Sequence, residues 1–174
     1  MAKARAKTNA DKELLEVLRE LSLRYGITAG EAYEGRRGER LAIQSPKDVV
    51  NLLSSEMACL VQEQLRVITL TTKNDLISQT VVYQGNVNSS IIRAAEIYRQ
   101  AIIENAPSII IVHNHPSGDP TPSPEDLQVT RDLVAAGKLL GIDLLDHIVI
   151  AGNRFVSLNE AQAGLLGGAT GRGG

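Results

Sequence analysis

Two histidines, two residues apart at the end of an apolar run, constrain this chain most. Ile109-Ile110-Ile111-Val112 is short and apolar on both faces, as in a strand at the centre of a sheet. His113-Asn114-His115-Pro116 follow it directly, and they hold two of the chain's 3 histidines. On a strand, residues i and i+2 point to the same side. Two imidazoles leaving one strand end on one side can grip one metal ion. The loop Ser117-Gly118-Asp119-Pro120-Thr121-Pro122 leads to Ser123-Pro124-Glu125-Asp126. If that loop returns Asp126 to the histidines, the set is two imidazoles and one carboxylate. Catalytic zinc sites use three protein ligands and leave a fourth position for water. Both histidines must then be neutral, each with its second ring nitrogen held by an acceptor elsewhere. The sequence does not identify those acceptors.

Composition removes several alternatives. A chain of 174 residues, 43% hydrophobic, has room for one packed domain with ends to spare. Cys59 is its only cysteine, so an intrachain disulfide and a Cys-rich zinc knuckle are both excluded. No apolar run approaches the ~20 residues of a membrane span. The basic start Met1-Ala2-Lys3-Ala4-Arg5-Ala6-Lys7 lacks the apolar core of a signal peptide. A cytoplasmic location, off the membrane, is the expectation. The net charge of −2 argues against a nucleic-acid footprint over the whole domain. Lys3-Arg5-Lys7 and Arg36-Arg37-Arg40 read as solubilising charges.

Taken in order, residues 11–24 read as an amphipathic helix on Leu14, Leu15, Leu18, Leu21 and Leu23, and 26–43 as an irregular arm. Ser45-Pro46-Lys47-Asp48 restarts helix, with serine as N-cap and proline at the first helical position, continuing to about Leu60. Leu65–Leu70 and Leu76–Tyr83 read as a hairpin over Thr71-Thr72-Lys73-Asn74-Asp75. Ser89 is read as the cap of a helix to about Glu104, burying Ile92, Ala95, Ile97 and Ile102. A strand over Ser108–Val112, a helix from Pro124 to about Leu140 and a strand over Asp143–Ile150 follow. After a turn at Gly152-Asn153, Arg154–Leu158 pairs back. The tail from Ala163 is flexible by composition. The expected division is 1–43 as helix and arm, 44–162 as the domain and 163–174 as a Gly-rich tail. Helices interleaved with strands imply a sheet covered by helices.

His113-x-His115-Pro116, with Ser123 and Asp126 at their spacing, matches the JAMM (MPN-plus) metalloprotease signature. The wider text, from His113-Asn114-His115-Pro116-Ser117-Gly118-Asp119-Pro120 to Asp146-His147-Ile148, resembles the RadC-like JAB branch of that superfamily. Gln62-Glu63, Thr72-Lys73-Asn74 and Asn105-Ala106 extend the resemblance, which covers about 44–160. It implies a three-layer α/β/α, cytidine-deaminase-like fold. It also implies Zn²⁺ on His113, His115 and Asp126, hydrolysis of an amide or isopeptide bond, and a peptide or protein substrate. The family name refers to DNA repair. Two departures stand out. No helix-hairpin-helix segment, usual in the family, is found in residues 1–43, which weakens a nucleic-acid role. The family's His-Pro-Arg-Glu reads Arg93-Ala94-Ala95-Glu96 here, keeping only the glutamate.

Hydrolysis also needs a general base. Glu63, Glu96, Glu104 and Glu125 are all candidates by residue type, and the resemblance selects Glu63. Ser-Pro-Glu-Asp is a good helix start in its own right; the resemblance adds a role for Ser123 in steadying the oxyanion. Gly118, Asp119 and Pro120 read as turn residues, His147 as a structural histidine and Cys59 as core. The string His-Asn-His does not make an HNH nuclease, whose motif positions are spread along a ββα unit. A zinc deaminase needs His-x-Glu and Pro-Cys-x-x-Cys, which one cysteine excludes. The alternative from another class is a metal-containing binding module without turnover, acting in a protein or DNA-associated complex.

Overall fold

A computed structural model describes residues 41–85, 92–162 and 166. The helix read at 11–24, most of the arm, Ser89 and most of the tail lie outside them. The described elements are α1 (Pro46–Met57), β1 (Gln64–Leu70), β2 (Leu76–Gln84), α2 (Ala94–Glu104), β3 (Ser108–Asn114), α3 (Pro124–Leu140), β4 (Asp143–Ala151), β5 (Arg154–Ser157) and α4 (Leu158–Ala161).

The five strands form one mixed sheet in the order β2-β1-β3-β4-β5. β3 is central, antiparallel to β1 and parallel to β4. All of its residues are buried, as its two-sided apolar run requires. Alternation divides the strand between two cores. Ile110 and Val112 pack with Val49, Leu53 and Met57 of α1. Ile109 and Ile111 pack with Ile97 and Tyr98 of α2 and Val129 and Leu133 of α3. The sheet therefore lies between α1 on one face and α2 with α3 on the other, an α/β/α sandwich. Each such Ile, Leu or Met, fully buried, contributes ~1.5–3 kcal/mol. The packed unit starts before residue 44. Ile43 is in the α1 core and its N–H donates to the Asn74 carbonyl, while the Leu41 carbonyl accepts from Leu76 N–H. Leu166 is buried in the other core.

Of the three described helices that the sequence places, two start where it places them. The Asp48 carboxylate accepts the N–H groups of Gln44 and Ser45, closing the start of α1. Ser123 and Asp126 form a reciprocal capping box at α3, and Gly141 ends that helix at φ +70°. The third differs. α2 begins at Ala94, because Arg93 is extended. Its N–H donates to the Tyr83 hydroxyl, which in turn donates to Glu96, so β2 fixes where the helix can begin. The phase that results buries Ile97, Tyr98 and Ala101, while Ala95 and Ile102 are exposed. Cys59 is also exposed rather than core: α1 ends at Met57, which takes the last inward position.

Candidate metal centre

The site forms where β3 leaves the sheet. His113 is still in the strand and buried, and His115 has just left it and is half-buried. Their Nε2 atoms face each other at 2.9 Å. Asp126, in the first turn of α3, brings Oδ1 to 3.5 Å from His113 Nε2 and Oδ2 to 3.6 Å from His115 Nε2. One ligand atom from each residue fits within a span of 4.8 Å. His113, His115 and Asp126 are thus a group that can hold a metal ion.

The hydrogen bonds around the site fix its protons. His115 Nδ1 lies 2.8 Å from the Asp119 carbonyl. A carbonyl only accepts, so Nδ1 carries the hydrogen, and in the neutral ring Nε2 is the lone pair. On the other side, the Thr130 hydroxyl donates to the Asp126 backbone carbonyl at 2.6 Å and is 2.6 Å from His147 Nδ1. Its one proton is used, so it accepts from His147 Nδ1–H. His147 Nε2 must then accept, and it does so from His113 Nδ1–H at 2.8 Å. His113 Nε2 is therefore also a lone pair. Two lone pairs at 2.9 Å repel unless a cation lies between them. With a carboxylate beside them, this donor set fits a divalent metal and supplies the acceptors that metal-binding histidines need.

Electrostatics agree for the two buried rings. Burial, with the neighbouring His147, pushes His113 down to about 3, and burial pushes His147 down to about 4, so both are neutral at physiological pH. His115 is raised, first by Asp126. Burial works to raise Asp126, but His115, His113 and the Ser123 hydrogen bonds outweigh it and hold the group well below the usual carboxylate range.

His147 is thus more than a structural histidine: it orients His113. A bulge explains its place. Ile109 pairs with Leu144 and Ile110 with Asp146, leaving Leu145 unpaired. The extra residue turns His147 to the face of Ile111 and His113.

The histidines and Asp126 line a cleft of about 430 Å³ with Glu63, Ser117, Ser123, Glu125 and Val129. Of the four candidate bases, Glu63 and Glu125 reach it. Glu96 is bound instead by Tyr83 and Arg93, and Glu104 by Thr69 and Gln100, away from the cleft. The Ser123 hydroxyl donates to Asp126 Oδ2 at 2.7 Å and accepts from Asp126 N–H at 3.1 Å. It both caps the helix and steadies the carboxylate. The turn reading of Gly118 holds, at φ +83°, and Arg154 donates to its carbonyl.

A mixed sheet between helices, with a His-x-His strand end facing a carboxylate at a helix start, defines a JAB/MPN-type domain. Residues 43–165 match the family model of the RadC-like JAB domain, and the chain belongs to that family. It is 50% identical over 155 residues to a UPF0758 protein of Roseiflexus castenholzii, covering 89% of this chain and 62% of that protein. A UPF0758 protein of Chloroflexus aurantiacus is 51% identical over 126 residues, 72% of this chain and 55% of that one. One of Clostridium perfringens is 45% identical over 154 residues, 86% and 68%. The chain therefore spans less than two thirds of the first two. Among the described residues, no helix is long and apolar enough to cross a membrane.

Proposed function

We propose that this domain is a zinc-dependent hydrolase of amide or isopeptide bonds in a peptide or protein substrate. The observation that carries the reading is the pair of Nε2 atoms held 2.9 Å apart beside Asp126, in one cleft with Glu63. His113, His115 and Asp126 would hold the ion. Zinc there supplies Lewis acidity and brings the pKa of an adjacent water to about 7. Glu63 takes a proton from the attacking water and delivers it to the nitrogen of the breaking C–N bond. Such acid–base help is worth ~10²–10⁴-fold. Ser123 serves the developing oxyanion by turning its proton from Asp126 to the cleft.

The test is metal content followed by turnover. Purified protein should carry one zinc per chain, and His113→Ala should lose it. Equal zinc in both would remove the metal reading. Imidazole also suits Ni, Cu and Fe, so elemental analysis must cover these. Zinc-loaded protein is then offered a peptide and isopeptide library with mass-spectrometric readout. Cleavage of no member would leave the metal-containing binding module as the better reading.

A further inference from the structure

We propose that Thr130, which does not line the cleft, is a positioning residue for the metal: its hydroxyl sets the proton order that leaves His113 Nε2 free to bind. The inference rests on the metal reading above. Thr130 is fully buried, and its single hydroxyl donates to the Asp126 carbonyl while accepting from His147 Nδ1–H. Its donation to the Asp126 carbonyl compels it to accept from His147 Nδ1. That choice passes through His147 Nε2 to His113 Nδ1. The relay closes on itself, since Asp126 supplies a ligand carboxylate through its side chain and the relay's terminal acceptor through its backbone. A change of metal ligand geometry at the start of α3 and the tautomer of His113 are therefore tied by one hydroxyl.

Without the hydroxyl, His147 Nδ1–H has no acceptor in its buried place. The imidazole gains by moving its proton to Nε2. That proton then faces His113 Nδ1 and obliges His113 to carry its own hydrogen on Nε2, in the position of the metal. Valine is nearly isosteric with threonine, so Thr130→Val changes the proton order with little change of shape. Serine keeps the hydroxyl.

The experiment measures zinc affinity by competition with a chromogenic chelator for wild type, T130V, T130A and T130S. ¹⁵N NMR of the imidazoles in chelator-treated protein then reports which ring nitrogens are protonated. The expectation is a ~10–100-fold weaker affinity in T130V and T130A, with T130S within about threefold of wild type, as for other groups that orient metal-binding histidines. The spectra should show His147 and His113 exchanging tautomer in T130V but not in T130S, a change that loss of packing alone does not produce. Wild-type affinity in T130V, or equal loss in T130S, overturns the inference while leaving the metal site intact. If wild type itself binds no zinc, the metal reading fails and this inference with it.

Discussion

Asn114 accepts a hydrogen bond from the backbone N–H of Gln64 at 2.8 Å, and so the strand that carries the histidines also holds the segment that carries Glu63. The same carboxamide donates to the Gln62 carbonyl at 3.1 Å. Glu63 lies between the two bonded residues. Alternation along β3 points Asn114 away from His113 and His115, so one buried side chain joins two halves of the cleft without entering it.

Asn114→Ala should therefore separate fold from metal. It strands a buried N–H and leaves a carbonyl without its donor, which costs ~1–3 kcal/mol. Urea unfolding should show that loss, while zinc content stays at the wild-type level. A variant as stable as wild type would mean that the 62–64 segment does not depend on this clamp.

Gly137→Ala should destabilise, against the helix propensity scale. In an open helix the change gains up to about 1 kcal/mol. At this position in α3 the new methyl would sit 2.5 Å from the Ile142 carbonyl oxygen and 2.5 Å from the Tyr98 hydroxyl. Neither can retreat cheaply. Ile142 N–H bonds back to the Gly137 carbonyl, and Tyr98 is fully buried with its hydroxyl donating to Leu133. Overpacking of this kind costs ~1–3 kcal/mol. A higher melting temperature in the alanine variant would contradict the close approach of α2 and α3.

Local signals in the sequence located most of this molecule, because its elements are set by local chemistry. Ser45-Pro46, Ser123-Pro124 and Gly141 mark their helix ends by capping, and Ile109 to Val112 marks a two-sided strand. What stayed illegible depends on distant partners. The start of α2 is fixed by Tyr83 on another element, not by a residue of its own segment. His147 stands 34 residues from His113, and only the bulge at Leu145 puts the two on one face. Periodicity read along β4 without that extra residue assigns His147 to the α1 side. The choice among four glutamates was likewise a question of which reach the cleft, which no spacing reveals.

Stability of the metal-free domain should fall as pH drops from about 6.5 towards 4. His113 and His147 have folded-state pKa values lowered by burial, to about 3 and about 4. In that window the unfolded chain binds protons that the folded chain refuses, so the stability these groups contribute is present above the unfolded pKa and lost as pH falls. Each contributes a slope of up to ~1.4 kcal/mol per pH unit. His115, raised first by Asp126, has the reverse sign, and its contribution changes above about 6.5, within the pH 7 end of the comparison. Urea unfolding in chelator at pH 7 and pH 5 gives the net, and His147→Gln should flatten it. An unchanged slope in that variant would show that His147 does not enter the balance.

Glu63→Gln should keep the metal and remove turnover, whereas His115→Ala should lose both. Glu63 is not among the three residues whose ligand atoms converge, although it lines the same cleft. The amide is nearly isosteric with the carboxylate, so the Asn114 clamp and the histidine geometry should survive. It cannot accept a proton, so the loss should fall on kcat by ~10²-fold or more, with KM little changed. The comparison needs a substrate from the peptide and isopeptide library, and zinc content must be measured on the same samples. Should Glu63→Gln cleave as fast as wild type, the base is another group. The structure then turns attention to Glu125, which borders the cleft, and away from Glu96, whose carboxylate is engaged by Tyr83 and Arg93. A joint loss of zinc and activity in Glu63→Gln would instead make Glu63 part of the metal site, and the separation of ligand from base would have to be abandoned.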